Sequence, residues 1–240
     1  MSELLIAELT KIRTLPATWI AFALTVLGNA VLGILAATDL VRVASANGEV
    51  AVGQLGALML APAYVFIAIA VFAAGTEYRG GQLRISLAAM PDRTRWFGSK
   101  LAVSAVVALV AAIPAVLPGL LVQHGAAGDL AFSSTAKDLL ALLAGYLLLS
   151  LVGFGFAFLA RSPVTPLAVL FILPMLASTA LGNLLPQFVK LLPHEATLSF
   201  LGLSADPATT LSRAAGLLVL IGWALLFVGT AWTLIVRRDS

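Results

Sequence analysis

Long apolar stretches alternate with short polar segments along this chain. Six runs contain no Asp, Glu, Lys, Arg or His, and each is at least 22 residues long. They cover residues 14–38, 50–76, 101–123, 139–160, 162–189 and 214–236. A helix needs about 20 apolar residues to cross the hydrocarbon core, so each run can span a membrane. The pattern predicts six transmembrane helices, at about 15–38, 54–76, 100–122, 139–160, 163–183 and 214–236.

The composition agrees with this pattern. The chain is 61% hydrophobic and 10% charged, which lies outside the range of soluble globular domains. The runs are continuously apolar and lack the alternation of barrel strands, which favours helices. We therefore expect an all-α integral membrane protein, in which residues 1–240 form a single transmembrane domain without a nucleotide-binding domain.

Lys and Arg are distributed unequally between the two sides of this arrangement. If the N-terminus is cytoplasmic, ten of the 14 Lys and Arg fall on the inner side. The outer side then holds Arg42, Lys137, Lys190 and Arg213. Because cytoplasmic loops carry excess positive charge, the sequence predicts an N-in, C-in topology. The net charge of +3 therefore reflects membrane orientation, and we expect no nucleic-acid partner.

The segment before the first span has the pattern of a helix that lies on the membrane surface. Leu5, Leu9 and Ile12 fall on one helical face, and the charged residues fall largely on other faces. Pro16 can then turn the chain into the first span. We expect an interfacial helix over residues 1–14 in contact with membrane lipid; the alternative is an N-terminus without a structural role.

The loop at 77–100 is the most charged segment, with seven of the 25 charged residues. Gly80 and Gly81 can end the second span, and Pro91 can end a short helix over about 82–90. The side chains that this helix would present are Leu83, Arg84, Leu87 and Met90. Such a surface suits a groove on a soluble partner. The alternative is that the cations only hold the loop against anionic lipid.

The same loop carries a family resemblance. It contains, in order, Glu77, Gly81, Leu83, Arg84, Leu87, Pro91, Arg93 and Lys100. This order resembles the signature loop of ABC-2 type transporter permeases, roughly E-x(3)-G-T-x-R-x-x-L-x-x-x-P-x-R followed by a Lys that opens the third span. The chain departs from it at Gln82, where the family usually has Thr. Residues 8–19, ELTKIRTLPATW, and 190–196, KLLPHEA, are also similar to family segments.

The resemblance implies the permease subunit of a bacterial ABC exporter in the cytoplasmic membrane. The helix near 82–90 would be a coupling helix that docks on a separate ATP-binding subunit, which would hold ATP and Mg. Glu77 and Arg84 would belong to a polar network that links this helix to the spans. The residues implied in coupling are Glu77, Gln82, Leu83, Arg84, Leu87, Met90, Pro91 and Arg93. Two permease copies, identical or different, would enclose the substrate path.

The chain itself offers little catalytic chemistry. No lysine follows a glycine, so the phosphate-binding pattern G-x-x-x-x-G-K-[ST] is absent, and ATP hydrolysis requires another polypeptide. Cysteine is absent, which excludes disulfides and thiolate metal ligands. His124 and His194 fall in predicted outer loops, where we expect solvated side chains and no metal site. Ser104 and Ser150 lie within spans without a base beside them, so we expect no enzyme.

Asn29 is a polar residue inside the first predicted span. It could line a substrate path or form an interhelical hydrogen bond. Neither choice identifies a substrate.

A second interpretation of the whole chain is a membrane anchor, or an immunity or sequestration protein, that does not transport. A stand-alone secondary transporter is disfavoured, because the six runs carry no Asp, Glu, Lys, Arg or His.

Overall fold

Long apolar helices form most of the structure. The computed structural model describes residues 2–45, 48–128, 132–176, 185–204 and 206–237, and it is 83% helical. Five helices are long and apolar enough to cross a membrane: Pro16–Thr38, Gly56–Tyr78, Arg93–Ala126, Phe132–Ala160 and Arg213–Arg237. The prediction of an all-α, multi-pass membrane protein is confirmed.

Eleven α-helices lie in the described part of the chain. They are α1 (Ser2–Thr14), α2 (Pro16–Thr38), α3 (Gly56–Met59), α4 (Ala61–Gly75), α5 (Gln82–Ala89), α6 (Arg93–Ala126), α7 (Phe132–Ala160), α8 (Val164–Leu176), α9 (Pro186–Val189), α10 (Pro193–Leu201) and α11 (Arg213–Arg237). Single 3-10 turns cover Val52–Gln54 and Thr76–Tyr78. The loop expected near 39–53 contains an antiparallel hairpin of β1 (Arg42–Ser45) and β2 (Gly48–Ala51), with Arg42 opposite Ala51.

Helix boundaries follow local sequence signals. α1 ends and α2 begins on either side of Leu15, which agrees with the predicted turn into Pro16. α6 begins before the predicted span because the Asp92 carboxylate accepts a hydrogen bond from the backbone N–H of Arg95 at 3.0 Å and caps the helix. The helix continues through Pro114 and Pro118.

The fifth predicted span is described only in part. α8 starts at Val164, where the span was expected, and residues 177–183 lie outside the described residues. The next connection also has residues outside the description, at 184 and 205. Its described part contains the short helices α9 and α10.

Helix α4 lies at the centre of the bundle. Its side chains are buried on all sides, including Phe66, Ile67 and Val71, and it packs against α2 and α7. The packing is close because α7 presents glycine: a Cβ at Gly153 would lie 2.3 Å from a methyl carbon of Ile67. Small residues at such contacts let helix backbones approach each other in membranes.

One face of α1 packs on the bundle. Ile12 is buried and Leu5 packs against the core, but Leu9 is 38% exposed. Glu8 is buried instead. Of these positions, Leu5, Glu8 and Ile12 therefore contact the bundle, because Lys100 lies on the side of Glu8, and the interfacial position expected for the stripe of Leu5, Leu9 and Ile12 stays a prediction.

Candidate functional site: a buried charge network beside helix α5

Four charged side chains from three segments meet at one end of the bundle. Glu8 and Lys11 come from α1, Glu77 from the turn after α4, and Lys100 from about two turns into α6. We call these four residues the charge network, and the end of the bundle that holds them the network end. Glu77 and Lys100 are each 2% exposed, and Glu8 is also buried.

The contacts within the charge network are continuous. Lys100 Nζ donates to a carboxylate oxygen of Glu8 and, at 2.8 Å, to Oε1 of Glu77. Lys11 Nζ donates to Oε1 of Glu8 at 3.1 Å and to Oε1 of Glu77 at 3.0 Å. Ser86 Oγ, from α5, donates to Oε2 of Glu77 at 3.1 Å. Two carboxylates and two ammonium groups therefore face one another, and their charges cancel.

Aromatic side chains keep the charge network away from water. Lys100 Nζ lies 5.5 Å from the ring centroid of Trp96, which packs edge-on against Phe158. Removing an ion from water costs several kcal/mol, which only close partners of opposite charge offset. At the partly exposed edge, burial alone would lower the pKa of Lys11, but the Glu77 and Glu8 carboxylates raise it above its ordinary value.

The turn after α4 places α5 against the charge network. Gly80 and Gly81 have φ angles of 60° and 74°, a region that glycine adopts without steric cost. α5 then covers Gln82–Ala89 and ends before Pro91, as the sequence predicted. From the middle of this helix, Ser86 reaches Glu77 and links α5 to the charge network.

The outward face of α5 differs from the prediction. Leu83, Leu87 and Met90 pack against the core of the bundle and are partly buried. The exposed side chains include Arg84 and Ile85, and Ile85 is 70% exposed. The apolar stripe expected to face a partner therefore faces the chain itself, because its spacing matches the apolar surface beneath it. Sequence reasoning missed Ile85, whose exposure on an eight-residue helix could have been read from its position opposite that stripe.

The other predicted coupling residues surround α5 without joining the charge network. Gln82 and Pro91 are exposed near its two ends. Arg93 Nη1 donates to the backbone carbonyl of Ile235 at 3.2 Å, which connects α6 to the last turns of α11. Arg84 makes no hydrogen bond or ion pair within the described residues. The expected polar network thus contains Glu77, but its cations are lysines and not Arg84.

Sequence reasoning also missed the partners of Glu77. Glu8 and Lys100 were placed on a surface helix and in a loop signature, without a contact between them. A usable signal existed, because a charge beside a membrane span generally requires a partner or water. That signal identifies a need for a partner but does not say which of several distant charges supplies it.

Asn29 lies on a second polar feature, deeper in the bundle. Its Nδ2 donates to the hydroxyl of Tyr146 at 3.0 Å, which is the interhelical hydrogen bond that the sequence left as one possibility. Asn29 also lines a cavity of about 760 Å³ between α2, α6 and α7. Asp39, His124 and Arg213 line the same cavity. We call the end of the bundle that holds these three residues the far end.

The expectation of solvated histidines is wrong for His194, which is 5% exposed. Its Nδ1 lies 2.9 Å from the hydroxyl of Tyr64 on α4, because α10 packs into the bundle. Burial lowers the pKa of His194 to about 4. Burial raises the pKa of the neighbouring Glu195, and a contact with Thr209 Oγ1 opposes that rise. His124 is also not freely solvated, since its Nε2 lies 3.2 Å from Asp138.

Comparison of the sequence with models of known protein families and with curated proteins finds no match. The geometry of the charge network and of α5 therefore carries the functional argument.

Replacing Lys100 with Met should strongly destabilise the protein, because Glu8 and Glu77 would remain buried with only Lys11 to neutralise them. Breaking a buried pair in this way costs about 3–5 kcal/mol, which corresponds to a fall of roughly 6–20 °C in melting temperature. The measurement is thermal unfolding of the purified chain in detergent. The double variant Lys100→Met/Glu8→Gln should recover part of the loss.

Arg95→Gln is the matched control for that variant. It breaks the exposed pair of Arg95 with Asp92, and exposed pairs contribute about 0–1 kcal/mol. If both single variants lowered the melting temperature equally, the buried charge network would stabilise the fold no more than an exposed ion pair does.

Acidification should destabilise the wild-type protein more than a His194→Gln variant. In the unfolded chain His194 binds a proton below its ordinary pKa of about 6.5, whereas the folded chain resists protonation down to about 4. The free energy of unfolding therefore keeps its full value above pH 6.5. It falls as the pH drops toward 4, because the unfolded chain takes up a proton at His194 and the folded chain does not. The loss is about 2 kcal/mol at pH 5. Melting temperatures of both proteins at pH 7 and pH 5 test this. An equal fall in melting temperature for the two proteins between pH 7 and pH 5 would contradict a buried neutral His194.

Proposed function

We propose that the chain is the permease subunit of an ATP-driven exporter that resembles the ABC-2 type. The observation that carries the proposal is the position of α5. This short helix exposes Arg84 and Ile85 to the outside, while Ser86 links it through Glu77 to α1 and α6. A partner that grips the exposed face of α5 can therefore move three other segments at once.

The coupling step is mechanical. ATP binding closes a pair of separate ATPase subunits, and their motion displaces α5. Because Oε1 of Glu77 accepts from both Lys11 and Lys100, a displacement of α5 reaches α1 and α6 together. The ATP-bound partner can drive the change only if it binds one arrangement of the permease more tightly than the other. Two copies of the chain, or one copy and a related chain, enclose the substrate path.

The helix ends support six spans with both termini on one side of the membrane, and the excess of Lys and Arg on that side favours the cytoplasm. The end of α7 lies at the network end, where the Tyr78 hydroxyl donates to the carbonyl of Phe158 at 3.3 Å. α11 begins at Arg213, which lines the cavity at the far end. The chain between these points has to pass from one end of the bundle to the other. α8, about 20 Å long at 1.5 Å per residue, starts this passage beside Gly75.

Topology can be tested directly because the chain has no cysteine. We expect Gln82→Cys to react with a membrane-impermeant maleimide only after the cells are permeabilised, since it lies at the network end, which the proposed topology places in the cytoplasm. Ala127→Cys and Ala208→Cys, both exposed toward the far end, should react in intact cells. Protection of Ala208→Cys in intact cells would contradict a crossing between α7 and α11.

Changing the exposed face of α5 should uncouple the chain from its ATPase without unfolding it. Arg84→Glu reverses an exposed charge, and Ile85→Asp removes an exposed apolar side chain. We expect each to weaken binding of the ATP-binding subunit, and so its recovery by copurification, roughly thirtyfold, since truncating a central contact costs about 2 kcal/mol or more. The measurement is purification of tagged protein from the native host, with ATP hydrolysis assayed in parallel.

Arg42→Glu, on the hairpin at the other end of the bundle, is the matched control and should behave like the wild type. If neither α5 variant alters partner recovery or ATP hydrolysis, the proposal fails. The chain would then be better described as a membrane anchor or sequestration protein that does not transport.

A further inference from the structure

A second cavity opens at the network end, beside the charge network. It has a volume of about 440 Å³ and lies between α5, the end of α7 and the last turns of α11. Three arginines line it: Arg84 from α5, Arg93 from α6 and Arg161 from the turn after α7.

The positive charge of this cavity is not neutralised by the acidic residue that also lines it. Glu77 is the lining carboxylate, and its oxygens already accept from Lys11, Lys100 and Ser86. Arg84 and Arg161 are exposed and make no hydrogen bond or ion pair within the described residues. The cavity therefore favours an anion.

The opposite wall of the cavity is apolar. It is formed by Ala231, Leu234 and Ile235 of α11. Arg93 is fixed against this wall by its hydrogen bond to the carbonyl of Ile235 at 3.2 Å. On the outer surface of the same helix, Trp232 and Val236 are exposed. An occupant with both an anionic group and a hydrocarbon chain could thus keep its charge at the arginines and continue along α11 into the membrane.

We propose that this cavity binds the phosphate headgroup of an anionic phospholipid. Arg84 and Arg161 donate to the phosphate oxygens, since guanidinium groups bind phosphate through charge-assisted, often paired hydrogen bonds. An acyl chain lies against Leu234 and the surface of α11. Basic pockets between transmembrane helices are a recognised place for such headgroups. The bound lipid joins α5 to α7 and α11, three elements that the charge network does not connect to one another.

A free phosphate shares the headgroup chemistry, but it would leave the apolar wall without a partner. The lipid is therefore the better occupant. This inference concerns the isolated chain and requires no ATPase, so its failure and the failure of the proposed coupling are separate outcomes.

The test uses the purified full-length chain in detergent, first stripped of lipid and then mixed with phosphatidylglycerol or phosphatidylcholine. Native mass spectrometry measures the fraction of protein that retains one lipid. We expect phosphatidylglycerol to be retained in preference, and Arg84→Gln/Arg161→Gln to lower its retention roughly a hundredfold, which corresponds to the loss of two charge-assisted hydrogen bonds. Equal retention by the wild type and this double variant would overturn the proposal.

Two further variants test whether the space inside the cavity or only the positive charge of the loop holds the lipid. Leu234→Trp keeps all three arginines but fills the cavity, and it should also reduce retention of phosphatidylglycerol. Arg79→Gln removes an exposed cation of the same loop that does not line the cavity, and it should leave retention unchanged. If Arg79→Gln lowered retention of phosphatidylglycerol as much as the double variant does, the effect would come from the general positive charge of the loop. That result would overturn the proposed binding site.

Inorganic phosphate added as a competitor tests the source of the anion. Displacement of phosphatidylglycerol by millimolar inorganic phosphate would overturn the lipid assignment in favour of a soluble phosphate. Persistence of the lipid adduct supports it.

Discussion

Electrical neutrality inside a water-poor site is the constraint on which the network end depends. Glu8, Lys11, Glu77 and Lys100 come from segments far apart in the sequence, and none of the three buried members is tolerable without its partners. Their mutual requirement fixes the depth of α1 in the bundle, the place where α4 ends and the depth at which α6 starts. The aromatic packing around Trp96 and Phe158 then follows, because those side chains fill the space that the fixed helices leave.

Helix α4 connects the two ends of the molecule. It has a polar contact at each end, since Tyr64 meets His194 near its start and Glu77 joins the charge network just after its last turn. The stretch between Tyr64 and Glu77 is about 20 Å long at 1.5 Å per residue and is almost wholly buried. Packed interiors deform little, so a shift at one end of such a helix is expected at the other. α10, at the far end, and α5, at the network end, therefore lie at opposite ends of one rigid element.

The parts of this fold that follow from local pattern were predictable. Apolar runs located the five long helices, Pro16 marked the break after α1, and the glycines at 80 and 81 with Pro91 located α5. The rotation of each helix about its own axis was harder to predict from the sequence, because it depends on which side chains the neighbouring helices present to it. Leu5, Leu9 and Ile12 were expected on one apolar face, yet Glu8 is buried against the bundle and Leu9 is exposed, because Lys100 lies on the side of Glu8. The burial of α10 was likewise invisible, since its polar residues resemble a loop until Tyr64 is placed beside His194.

The long sequence separation within the charge network has a consequence for biosynthesis. Lys100, the buried partner of Glu8, follows it 92 residues later in the chain. At translation rates of about 5–20 residues per second, Glu8 waits roughly 5–20 s for that lysine. During this interval Glu8 has only Lys11 beside it, and the other two members of the charge network, Glu77 and Lys100, are still missing. We therefore expect α1 to stay outside the apolar phase while α2 and α4 insert. Helix α1 is thus expected to reach its final place after helices that follow it in the sequence.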